Sequence, residues 1–143
     1  MYKKVFLTLA MMFFLGTFFS TCSFAKDVNL NANKIKTTCG YLRLEDPDTA
    51  TYLRPVKVNV KTVYIPNQVV LNDYPIRIIA IHKNAFTKTK KLRKISVGKN
   101  VFLIPKGTFK KAPKKVKIYT DIGAGVRTIR KSGIKKGQVI IWR

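Results

Sequence analysis

The chain has 143 residues with 29 Lys or Arg against 6 Asp or Glu, a formal net charge of +23 and one histidine. That length allows one domain, and the single His excludes any centre built on two histidines. The excess of one charge sign excludes the mixed-sign surface of an ordinary soluble domain and sets up a field that attracts polyanions. The chain opens with Met1-Tyr2-Lys3-Lys4, an uncharged and mostly apolar run from Val5 to Phe19, and Ser23-Phe24-Ala25. This is the basic start, short apolar core and small-x-small ending of a secretion signal. The run falls short of the roughly 20 residues a membrane helix needs. Residues 1–25 are therefore expected to be removed, leaving a secreted or cell-surface protein that starts at Lys26. Cys39 is then the only mature cysteine, so no internal disulfide framework forms. Its expected place is a small buried side chain on a strand.

Residues 26–62 read as a strand-rich N-terminal cap. After the polar stretch Lys26–Lys36, the run Thr37–Leu44 predicts a first strand, ended by a turn at Glu45-Asp46-Pro47-Asp48. Val56, Val58 and Val60 alternate with Lys57, Asn59 and Lys61, the period of a half-exposed strand. Thr62-Val63-Tyr64-Ile65 extends or restarts that strand, and Pro66 stops it.

From residue 63 the chain repeats itself. Shifted by 23 residues, Ile78, Ile81, Lys83, Phe86, Lys91, Lys94 and Ile95 fall on Val101, Ile104, Lys106, Phe109, Lys114, Lys117 and Ile118. Matched apolar positions at one offset predict stacked copies whose apolar faces merge into one core, with Phe86 and Phe109 inside it. An earlier copy aligns Val63, Ile65 and Val69 with Ile95, Val97 and Val101 at an offset of 32. Its extra residues flank Asn72-Asp73 and predict a β-hairpin insert. Lys115 stands where Leu92 does, and a slip of one residue lets Val116 take that place. Beyond Tyr119 the pattern weakens through Asp121-Ile122-Gly123-Ala124-Gly125. It returns at Val126, Ile129, Lys131 and Ile134, offset by 25 from Val101, Ile104, Lys106 and Phe109. Gln138–Trp142 is a final strand that caps the far end. Helix is expected only as one or two turns near Ala85-Phe86 and Thr108-Phe109.

Leu92, Ile95 and Val97 in a strand of L-x-x-I-x-V type, the pair Val101 and Ile104, and Ala85-Phe86 with Thr108-Phe109 resemble the leucine-rich repeat of BspA-like bacterial surface proteins. The resemblance covers roughly Val63 to Ile134. It implies a mainly β fold: a short leucine-rich-repeat solenoid with short helical turns, an N-terminal strand cap and a β-hairpin insert, residues 63–143 forming the stack. It also implies a protein- or glycan-binding role of adhesive type.

The chemistry of the sequence points the same way. His82 has no sequence-adjacent carboxylate partner, and Gly123-Ala124-Gly125 lacks the context of a dinucleotide fingerprint. No catalytic residue, cofactor, metal or small-molecule substrate is expected. Side chains alternate across a strand, so the residues beside Val63, Ile95 and Ile118 face away from the core. They form a candidate binding face of Tyr64, Lys94, Ser96, Lys117 and Tyr119. From Lys83 onward there are 19 Lys or Arg against Asp121 alone. The expected partner is an anionic polymer (cell-wall polymer, glycosaminoglycan or nucleic acid) or a protein, met by a monomer. The competing expectation is a cationic membrane-active or nucleic-acid-coating protein that works through bulk charge.

Overall fold

A computed structural model describes residues 33–121 and 124–142, and the signal-like segment lies outside them. The fold is mainly β. Among the described residues, nine strands, one α-helix and one short 3₁₀ turn follow in the order β1 (Ile35–Lys36), β2 (Tyr41–Asp46), β3 (Thr49–Arg54), β4 (Thr62–Ile65), β5 (Gln68–Leu71), β6 (Tyr74–Ile81), β7 (Lys94–Val97), the 3₁₀ turn (Phe109–Lys111), β8 (Lys117–Thr120), α1 (Ala124–Ser132) and β9 (Val139–Trp142).

The N-terminal part is a five-stranded sheet in the order β1-β2-β3-β6-β5. Its first strands differ from the sequence reading. The strand predicted over 37–44 begins only at Tyr41, and Cys39 sits half-buried in the bend before it rather than on a strand. Glu45 and Asp46 continue β2, so the turn narrows to Pro47-Asp48. Strand β3, paired antiparallel with β2 and parallel with β6, carries no alternation because both of its faces are covered: Thr49 to Tyr52 are all buried. The valine–lysine alternation over 56–60 forms no strand. After Pro55 the backbone bends and turns, and Val58 remains exposed. Lys57, Val58 and Asn59 are all exposed, so the alternation in the sequence marks neither a strand nor a buried face.

The hairpin forms where Asn72-Asp73 places it. Both residues have positive φ, 49° and 66°, the left-handed pair that a two-residue turn between right-twisted strands requires. Its strands pair from Gln68↔Arg77 to Leu71↔Tyr74. It is an integral part of the N-terminal sheet, because β6 also lies parallel to β3.

The second sheet is all parallel, in the order β4-β7-β8-β9. Val63, Ile95, Ile118 and Ile140 stand side by side across it. The offset of 23 residues between β7 and β8 thus fixes their pairing register, and 32 fixes that of β4 with β7. Facing this sheet, β6 lies parallel to β3 and bridges Ala80 to Leu103. One apolar core continues between these two walls. Phe86 and Phe109 are fully buried in it, their rings stacked 5.7 Å apart at 19°. Leu92 and Val116 are both fully buried while Lys115 is exposed, which is the one-residue slip in physical form. The chain after Ile65 and Val97 is tied crosswise. Asn67 Oδ1 accepts the Lys99 N–H at 2.6 Å, and Asn100 Nδ2 donates to the Asn67 carbonyl at 3.1 Å. Gly98 lies so close that a Cβ there would come within 2.7 Å of Asn67 Oδ1.

Helix α1 covers Val126, Ile129 and Lys131, where the repeat pattern returns in the sequence, away from the two places where helix is expected. Ile129 is its buried apolar anchor, the Ser132 hydroxyl donates to the Ile129 carbonyl at 2.7 Å, and Arg130 and Lys131 lie in its last turn. Cations at that end are favoured by the helix dipole. Near Ala85-Phe86 the chain makes turns only, and at Thr108-Phe109 it makes the short 3₁₀ turn. At the far end Gln138 is buried. It donates to the carbonyls of Phe109 (2.7 Å) and Pro113 (3.1 Å) and accepts the Lys135 N–H (2.8 Å). Its amide thus ties the 3₁₀ turn and the chain after it to the turn before β9, adding a second donor to the Phe109 carbonyl, which also accepts the Ala112 N–H at 3.1 Å.

Candidate binding face

Strands β7 and β8 have the sequences K-I-S-V and K-I-Y-T. Ile95, Val97, Ile118 and Thr120 are buried on the inner side of the parallel sheet. Alternation then turns Lys94, Ser96, Lys117 and Tyr119 outward. In β4 the buried residues are Val63 and Ile65, so Thr62 and Tyr64 share that outer face. Register partners arrange the outer residues in two rows. One row runs Thr62, Lys94, Lys117, Val139, and the other Tyr64, Ser96, Tyr119, Ile141. All five residues singled out from the sequence, Tyr64, Lys94, Ser96, Lys117 and Tyr119, lie on this one face.

The geometry adds three features that spacing alone does not give. Ser96 separates the tyrosines, which therefore sit two strand spacings apart, about 9.6 Å. The Lys94 Nζ lies over the Tyr119 ring, 4.5 Å from its centroid. This diagonal cation–π contact is worth about 0.5–1 kcal/mol at an exposed site, and it presents an ammonium and a flat ring together. Val139, half-exposed, and Ile141 prolong both rows past the lysines. The alternation of the last strand could have disclosed them, once that strand was aligned beside β8. At the other edge, Thr62 and Tyr64 border a groove of about 690 Å³ that Lys57 and the half-buried Cys39 also line. The Cys39 Sγ lies 3.1 Å from the Thr37 hydroxyl.

Charge is segregated. Among the described residues, Glu45, Asp46, Asp48 and Asp73 all belong to the N-terminal sheet or its turns, and Asp121 follows β8. The two ion pairs among the described residues, Arg43–Glu45 at 2.8 Å and Arg77–Asp48 at 2.7 Å, also lie there. The Thr51 hydroxyl donates to Glu45 at 2.6 Å, and Arg43 donates beside it. These bonds, the first foremost, hold the Glu45 carboxyl below its ordinary value. Among the described residues neither ion pair includes Lys94 or Lys117, so their field is left to act on what approaches.

His82 occupies a turn after β6, and its Nδ1 accepts the Asn84 N–H at 3.2 Å. No protein-family model, curated protein or solved structure matches the chain.

Proposed function

We propose that this chain is an exported, non-enzymatic interaction module. Residues 63–143 act as a short leucine-rich-repeat stack of the BspA-like kind, and its outer parallel face holds an anionic polymer. The observation that carries the reading is the register of that sheet, Lys94 beside Lys117, with Tyr119 under the Lys94 ammonium. Like charges on adjacent strands cost stability, and a polyanion lying across both removes that cost while releasing its own counterions. Tyr64 and Tyr119 offer flat apolar area to sugar rings or bases beside the charge. Glycosaminoglycan, cell-wall polymer and nucleic acid share this chemistry. A monomer suffices, since the rows lie within one chain.

The test is the salt dependence of binding to heparin and to single-stranded DNA. Replacing Lys94 and Lys117 together by Ser should lower affinity and flatten the plot of log K against log salt by about two units at most. The control replaces Lys99 and Lys106, two exposed lysines outside the sheet. Equal losses from both pairs would mean that bulk charge alone acts, as in a cationic membrane-active or nucleic-acid-coating protein.

A further inference from the structure

A second groove, separate from the ladder face, lies between the irregular segment after β3 and the turns that follow β6. It is about 780 Å³, within the range of small-ligand sites. Its apolar surface comes from Leu53, Pro55, Val58 and Ala85. Pro55 and Ala85 are buried, Leu53 is half-buried, and Val58 stands exposed at 37%. An exposed valine on a segment that forms no strand gains little from the core, and in this groove it supplies an apolar lip.

The charged residues of the groove, Lys34, Arg54 and Lys88, are of one sign. Lys34, Arg54, His82 and Lys88 border it, joined by the neutral Asn84, Thr87 and Thr89, and no carboxylate is among the lining residues. Two of these cations are held in place. The Lys34 ammonium and the Arg54 guanidinium both pack on the Tyr41 ring, 4.5 and 4.3 Å from its centroid. His82 is held too, because its Nδ1 accepts the Asn84 N–H, which leaves Nε2 as the proton-bearing donor of the neutral ring. Hydrocarbon surface bordered by anchored donors of positive charge matches a ligand with the opposite layout.

We propose that this groove binds a small amphipathic anion, a carboxylate joined to an aliphatic chain. The chain lies on Leu53, Val58 and Ala85, and the carboxylate is bonded by Arg54 with Lys34, His82 or Lys88. A bare anion would leave the apolar wall wet, and a neutral or cationic amphiphile would leave the donors unanswered or repelled. The sequence alone predicts no small-molecule substrate; the groove calls for a bound ligand, not a reaction.

The experiment titrates n-decanoate, below its micellar concentration, into the full mature chain by calorimetry and amide chemical shifts. Acetate, decanol and decyltrimethylammonium serve as comparison ligands. Saturable decanoate binding is expected, with at least about tenfold weaker binding of the other three: decanol and the cation lack the charge-assisted hydrogen bond, and acetate lacks the apolar chain. Val58→Asp should abolish decanoate binding, because it sets a carboxylate on the lip, and being exposed it leaves folding intact. Lys88→Gln and Arg54→Gln should each weaken binding several-fold. Circular dichroism checks Arg54→Gln, which also removes a contact with Tyr41, and Lys88→Gln stands if that variant fails to fold. Lys94→Ser with Lys117→Ser should leave decanoate binding unchanged while lowering heparin affinity, so the two sites succeed or fail separately. Absence of saturable binding would overturn the proposal. So would comparable affinity for decanol or the cation, or equal loss from the Lys94/Lys117 pair.

Discussion

Removing the stacked phenylalanines is the sharpest perturbation of the core. Phe86 and Phe109 are each 0% exposed, 23 residues apart in sequence and 5.7 Å apart between ring centroids. Truncating either to Ala removes a buried ring and leaves a cavity beside its mate, at a cost of about 3–5 kcal/mol. The stacked pair adds a coupling of about 0.5–1.5 kcal/mol beyond area burial. The double variant should therefore lose less than the sum of the singles by about that amount. A domain stability of about 5–15 kcal/mol leaves each single variant measurable and brings the double variant near unfolding. Urea melts followed by far-UV circular dichroism give the three values. Phe86→Leu and Phe109→Leu form a milder cycle if the double alanine does not fold. Single losses under about 1 kcal/mol would put the rings outside the core. Additivity to within about 0.3–0.5 kcal/mol would show that the two turns do not share packing.

Asn72→Val forces a β-branched residue to φ 49° and should cost about 1–2 kcal/mol, read as a lower urea midpoint; no change would mean that the turn is not left-handed. Gln138→Leu leaves the Phe109 and Pro113 carbonyls and the Lys135 N–H without their side-chain partner and should cost about 1–3 kcal/mol; a stabilised variant would show that these groups find other partners. Glu45 has a folded-state pKa below its unfolded value, so its stabilisation is present above the ordinary carboxylate range and is lost as pH falls through the folded value. The melting temperatures of wild type and Glu45→Gln should therefore differ at neutral pH and converge in acid, and a gap that stays constant to pH 2 would contradict this. Export should yield a chain beginning at Lys26, and an intact mass that retains residues 1–25 would refute the signal reading.

The face was legible in the sequence because it depends on two numbers, the repeat offset and the strand period. Ile95 and Ile118 at one offset fix which strands are neighbours, and a period of two then fixes what lies beside them. Strand β3 was hidden by its own burial. A strand covered on both sides shows no alternation, and T-A-T-Y-L-R has no continuous aliphatic run to betray it. The alternating valines at 56, 58 and 60 form no strand because a polarity pattern supplies no hydrogen-bond partner, and Val58 is exposed along with Lys57 and Asn59. Helix α1 opens with Ala124-Gly125 and buries Ile129 as its apolar anchor, so glycine's low helix propensity and a thin apolar stripe conceal it. The second groove draws on Lys34, Arg54, His82 and Lys88, which only the folding of β1, β3 and the turns after β6 brings together.

The central claim is that the chain meets polyanions through one face. Amide and side-chain shift mapping with a short heparin oligosaccharide tests it most directly. The account predicts perturbations concentrated at Tyr64, Lys94, Ser96, Lys117 and Tyr119, with matching saturation at each. Shifts of equal size at Lys99, Lys106, Lys110 and Lys131, saturating together with those of the face, would contradict it.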